Sequence, residues 1–134
     1  MKNVLRKIHF AAGLLLLVIF PLTGAYMRFR IPHLMQESDS FRFSMRANHI
    51  YILLSSFIHL SLGIYFKRSP LKWLGRLQTT GSALLIQASA MIVVAFFFEP
   101  KHGLDRPVTL IAMVMGLVWM ALHGLCLLKG ELGE

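Results

Sequence analysis

Long apolar stretches alternate with short basic segments along the whole chain. Four stretches, 8–27, 47–66, 77–98 and 107–128, contain no Asp, Glu, Lys or Arg and run for 20, 20, 22 and 22 residues. As helices rising about 1.5 Å per residue, each covers roughly 30 Å of hydrocarbon. A soluble helix repeats polar residues along one side, whereas these stretches show only scattered small and weakly polar positions. The pattern predicts an all-α, polytopic membrane protein: one four-helix transmembrane domain spanning 1–134. The connections 28–46, 67–76 and 99–106 are short. Short connections make sequential helices neighbours of opposite direction, so an up-down-up-down antiparallel bundle is expected.

Polar and special residues mark the helix ends. Asp39 or Ser40 suits the cap of a second helix that starts before the membrane. Ser69-Pro70 suits the start of the third helix, and Asp105 with Pro107 the start of the fourth. Pro21 lies inside the first stretch and frees the carbonyl of Leu17, which predicts a kink. The same stretch contains Thr23-Gly24-Ala25, a pattern that also suits signal-peptide cleavage. Its apolar run is longer than an ordinary signal core, which favours a retained helix.

Composition supports this picture. Charged residues make up 15% of the chain, against about 25% in soluble domains. The stretches leave 50 residues for ends and loops, too few for a second domain. The net charge of +8 lies at the ends of apolar stretches, where anionic lipid headgroups attract each cation by about 1 kcal/mol. That location argues for lipid and against nucleic acid. With the N-terminus inside, eight cations (Lys2, Arg6, Lys7, Lys67, Arg68, Lys72, Arg76, Lys129) face in and six (Arg28, Arg30, Arg42, Arg46, Lys101, Arg106) face out. This bias places both ends in the cytoplasm, and the compact layout suits a bacterial cytoplasmic membrane. Phe41, Phe43 and Met45 alternate with Arg42, Ser44 and Arg46. The alternation reads as an interfacial belt, or as a docking surface for a membrane protein partner or second copy. Cys126 is the one cysteine, so no disulfide forms within the chain.

Helices in lipid pack through small residues and polar contacts. His49, Ser56 and Gly63 repeat every seven residues, with His59 three beyond Ser56. Thr80, Ala83, Gln87 and Ala90 form a stripe in the third stretch, Thr109, Ala112, Gly116 and His123 one in the fourth, and His9 with Gly13 a short one in the first. These stripes are read as the faces turned into the bundle. Close packing alone accounts for their glycines and alanines.

The histidines carry more information, because an imidazole inside a membrane is costly unless it is paired. His33 and His102 fall in outer loops, and His49, beside Asn48, falls near the outer surface. His59, His123 and His9 lie roughly 4, 8 and 12 Å to the inner side of the membrane centre, by their distances along the helices. His59 and His123, with His9 as substitute, are therefore candidate axial ligands of a b-type haem. Gly63, Gly116 and Gly124 would make room for the ring, and Arg6, Lys7, Lys67, Arg68 and Lys129 would meet its propionates. The competing reading is structural: His59 bonds Ser55 or Ser56, and His123 bonds a facing polar group. His49 and His59 are only ten residues apart, too close for the two ligands of a two-haem helix.

Other chemistries have less to stand on. Met113, Met115, Met120, His123 and Cys126 are soft or borderline ligands that suit copper, but no Cys-x-x-Cys or Met-x-x-x-Met pair supports them. The stretches hold no acid for a transporter, and no nucleophile–base–acid set or phosphate loop for a hydrolase. No motif identifies a family. In shape alone the chain resembles small four-helix membrane proteins, membrane cytochromes of the b type among them. The expectation is a non-catalytic accessory or assembly component of a membrane system, with a haem-binding electron carrier as the alternative.

Overall fold

The computed structural model describes residues 4–31, 36–69, 71–102 and 105–131, with side chains described as far as Cys126. Lys2, His33, Pro70 and the side chain of Lys129 lie outside that set. Four helices run through it: α1 Val4–Arg30, α2 Asp39–Tyr65, α3 Lys72–Phe98 and α4 Pro107–Glu131. A single 3-10 turn, Glu99–His102, follows α3. All four helices are long and apolar enough to cross a membrane, and no strand occurs among the described residues.

Each helix outruns its uncharged stretch. α2 starts eight residues before 47, and Ser38 rather than Asp39 or Ser40 is its cap, accepting the amide of Phe41 at 3.3 Å. α4 starts at Pro107, where a missing amide costs nothing. α1 passes through Pro21 as one helix.

The helices meet where side chains are small. A β-carbon on Gly13 would lie 2.8 Å from the amide nitrogen of Leu60, and one on Gly63 would lie 2.7 Å from Phe10 Cβ and 2.8 Å from its Cα. At these two points the α1 and α2 backbones touch, so only glycine fits. Ser56 Oγ seals the crossing by donating to the Gly13 carbonyl at 2.9 Å. Arg6 closes one end, donating to the carbonyls of Gly63 at 3.2 Å and Ile64 at 2.8 Å. The last carbonyls of a helix have no partner within it, and a cation there is favourable. Partner numbers fall on α2 as they rise on α1, so the two helices run in opposite directions.

α3 and α4 pair in the same sense, with Gly81 against Trp119 and Cys126 Sγ against the Leu74 carbonyl. Gln78 holds the preceding connection, accepting from the Ser69 amide at 2.9 Å and donating to the Lys67 carbonyl at 3.1 Å. Leu16, Met45, Ile52, Ala88, Ile92, Phe96 and Ala112 form the shared apolar core.

The stripe expected to turn α3 into the bundle does not do so. Thr80, Ala83, Gln87 and Ala90 are exposed, and α3 instead buries Gly75, Ser82, Ser89, Gly81, Ala88 and Ala95. These are two parallel rows of small residues spaced by seven. α3 carries small residues on two sides, and the richer side makes the closer contact.

A candidate intramembrane histidine site

His9 precedes Gly13 by one turn on α1, and His59 precedes Gly63 by one turn on α2. The backbone contact at the two glycines therefore brings the two imidazoles together. Both side chains are fully buried, and their Nδ1 atoms lie 2.8 Å apart in a hydrogen bond. His59 Nε2 lies 3.0 Å from Ser89 Oγ on α3, and Ser89 Oγ donates to the Leu85 carbonyl at 2.9 Å.

This chain assigns the protons of the neutral rings. The one hydroxyl proton of Ser89 is committed to Leu85, so Ser89 accepts from His59 Nε2–H. His59 Nδ1 is then bare and accepts from His9 Nδ1–H. His9 Nε2 is left with a lone pair, buried and without a partner.

Phe66 packs against the His9 ring. Its ring centroid is 6.1 Å from His9 and 5.4 Å from His123. His123 leans on Trp119 at 5.6 Å, and its Nδ1 is buried without a partner. Two of the three candidate ligands, His9 and His123, thus contact one phenyl ring, but the direct hydrogen bond is between His9 and His59, not between His59 and His123. Two nitrogens that share an iron stand about 4 Å apart, at about 2 Å per metal–imidazole bond. At 2.8 Å, the bonded Nδ1 pair does not fit a haem iron between its members. Gly63 is filled by Phe10, while Gly116 and Gly124 face open space.

The soft-ligand set is dispersed. Met120 is exposed, Cys126 Sγ turns to the Leu74 carbonyl at 3.8 Å, and no group of three His, Cys, Asp or Glu side chains that could hold a metal occurs among the described residues.

A second polar cluster lies toward the other end of the helices. His49 stacks on Phe20 at 4.1 Å and bonds Thr23 Oγ1 at 2.9 Å through Nδ1, so it is tied into the α1–α2 crossing. Next to it, Asn48 Oδ1 accepts from Arg106. Glu99 is 3% exposed and caps α4, accepting the amides of Val108 and Thr109, the latter at 3.0 Å, and the Thr109 hydroxyl. A carboxylate there satisfies orphan amides and complements the positive end of the helix. From sequence, Glu99 reads as a loop acid and Ser89 does not stand out. The signal for Ser89 is its place in the row 75-82-89; for Glu99 nothing in the local pattern announces burial.

No protein-family model, curated protein or solved structure matches the chain.

Proposed function

We propose that this chain is a small multi-pass integral membrane protein with a non-catalytic role, an accessory or assembly component of a membrane system. The observation that carries this reading is the distribution of side chains. All four helices turn Leu, Ile, Val and Phe outward, while His9, His59 and Ser89, and likewise His49 and Thr23, are spent on one another. Such pairs join helices in hydrocarbon, where an unpaired polar group is costly. In this reading the helices cross a bacterial cytoplasmic membrane up-down-up-down with both ends inside, as the eight-to-six distribution of cations favours. The partners are anionic headgroups and, along the little-buried α4, another membrane protein or a second copy. Carbonate washing of membranes tests the core of it: the chain stays in the pellet, and its release into the supernatant would overturn the reading.

A second reading, binding of haem b, has one observation in its favour. A metal-ligating histidine commonly donates one ring N–H to a partner and offers the other nitrogen. His9 does this, with Nδ1–H on His59 and Nε2 free. The ligands would then be His9 and His123, with His59 orienting His9 and Phe66 turned aside. When bound, the group would supply one-electron transfer. A visible spectrum of detergent-purified protein from haem-replete cells decides. A Soret band with sharp reduced-state bands, lost in His9→Ala, supports haem, and a colourless preparation removes it.

A further inference from the structure

Gln87 stands at the middle of the uncharged stretch of α3: ten residues of 77–98 precede it and eleven follow. At about 1.5 Å per residue, either surface of the hydrocarbon is roughly 15 Å away, beyond the reach of so short a side chain. Gln87 is exposed on the outside of the bundle and has no hydrogen-bond partner among the described residues. Two other outward residues settle their hydroxyls on their own helix, Ser61 on the Phe57 carbonyl and Thr79 on that of Gly75, each at 2.8 Å. Gln87 makes no such bond. Its carboxamide lies where neither water nor an acyl chain offers a donor or an acceptor, which is a costly place for a polar group.

What covers Gln87 must therefore bring both a donor and an acceptor to the centre of the bilayer. A second copy does so. Copies inserted in one orientation are related by a two-fold axis along the membrane normal, which sets every residue beside its mate at equal depth. A carboxamide both donates and accepts, so each Gln87 Nε2 can donate to the Oε1 of the other. The surroundings permit the approach. Ala83 and Ala90, one turn before and one turn after, are exposed on the same side, so a second backbone can come close enough for short side chains to meet. Arg76, Thr80 and Val94, also exposed, extend the row at alternating spacings of four and three, the seam along which two helices wind round each other. The outward side chains of α4 at the same level, Val114, Leu117 and Val118, are apolar. Lipid satisfies those, which singles out α3.

We propose that the outer face of α3 is the interface of a parallel homodimer, with the two Gln87 carboxamides bonded to each other across its two-fold axis. The inference rests on the chain spanning a bilayer and is independent of haem.

Disulfide crosslinking across the axis tests it. The full chain carrying Cys126→Ser, which removes the one native cysteine, and Ala90→Cys is reconstituted in phosphatidylcholine vesicles and oxidised at increasing lipid dilution. A crosslinked dimer forms and declines through a midpoint as lipid is added. Leu117→Cys in the same background, near the same depth on the outward side of α4, gives little. Gln87→Leu, which changes a side chain outside the packed bundle and so leaves the monomer folded, moves the midpoint to roughly tenfold less lipid, as expected for two interhelical hydrogen bonds of ordinary strength. Gln87→Asn, which keeps the carboxamide, retains most of the association. Crosslinking at Ala90→Cys no better than at Leu117→Cys overturns the proposal, as does an unchanged midpoint in Gln87→Leu; lipid or a different protein then covers α3. Flotation of the vesicles separates the two readings: a chain that floats without crosslinking overturns the dimer alone, and one that does not float overturns the membrane reading with it.

Discussion

Replacing Gly63 with alanine tests the contact on which the histidine pair depends. The new methyl would meet Phe10 Cβ at 2.7 Å and Phe10 Cα at 2.8 Å. Cα belongs to the backbone and cannot swing away, so α1 and α2 must separate by about 1 Å to reach ordinary carbon–carbon contact near 3.5–4.0 Å. The same separation takes the His9–His59 bond from 2.8 Å past the roughly 3.2 Å limit of a sound N–H···N contact. Overpacking costs about 1–3 kcal/mol, and a hydrogen bond between membrane helices is worth about 0.6 kcal/mol. The expected loss is therefore about 2–3 kcal/mol. Reversible unfolding in mixed micelles of increasing dodecyl sulfate fraction reads it. Gly116→Ala is the control: nothing lies within 4 Å of its new methyl, so better helix propensity should leave it neutral or up to about 1 kcal/mol more stable. If Gly63→Ala and Gly116→Ala unfold at the same detergent fraction, the backbone contact at Gly63 is not as described.

Ser89→Ala removes the acceptor of His59 Nε2–H and should cost about 1–2 kcal/mol in the same assay; Ser61→Ala, whose hydroxyl bonds its own helix at Phe57, should cost little. Glu99→Ala strips α4 of its cap and leaves Arg106 without its nearby carboxylate, at about 2–3 kcal/mol. Hydrogen exchange at Val108 and Thr109 should rise with it, and unchanged exchange would refute the capping role. Arg6→Ala exposes the end carbonyls of α2 and should cost about 1 kcal/mol, with faster exchange confined to the last turn of that helix. Cys126, buried against Leu74, should resist a bulky maleimide in mild detergent and react once dodecyl sulfate unfolds the chain.

The helices were legible because lipid demands long uncharged stretches, a requirement few other folds share. Their ends were less so. Ser38 caps α2 one residue before the expected pair, since several neighbouring polar residues there qualify. The inward faces of α1 and α2 could be read from His9 with Gly13 and from Ser56, His59 and Gly63. That of α3 could not, because exposure to lipid removes the polar contrast that marks an outer face in water, and two rows of small residues compete. His59 and His9 stand out as costly residues, although distances along the helices put them roughly 8 Å apart in depth. Their pairing depends on two glycine contacts between helices, about which spacing within either helix says nothing. Glu99 illustrates the opposite limit: an acid at the end of an apolar stretch looks like a solvent-facing loop residue until the amides of the next helix turn toward it.

Glu99 also links consecutive segments in a particular way. The carboxylate that follows α3 holds the first amides of α4, while Arg6 at the start of α1 holds the last carbonyls of α2. Each half of the polypeptide thus carries its own latch, made from residues of that half alone. A chain severed between Lys67 and Leu71 would keep both latches intact, so the two halves, expressed as separate polypeptides, would each enter the bilayer as a closed pair and find the other through His59 and Ser89.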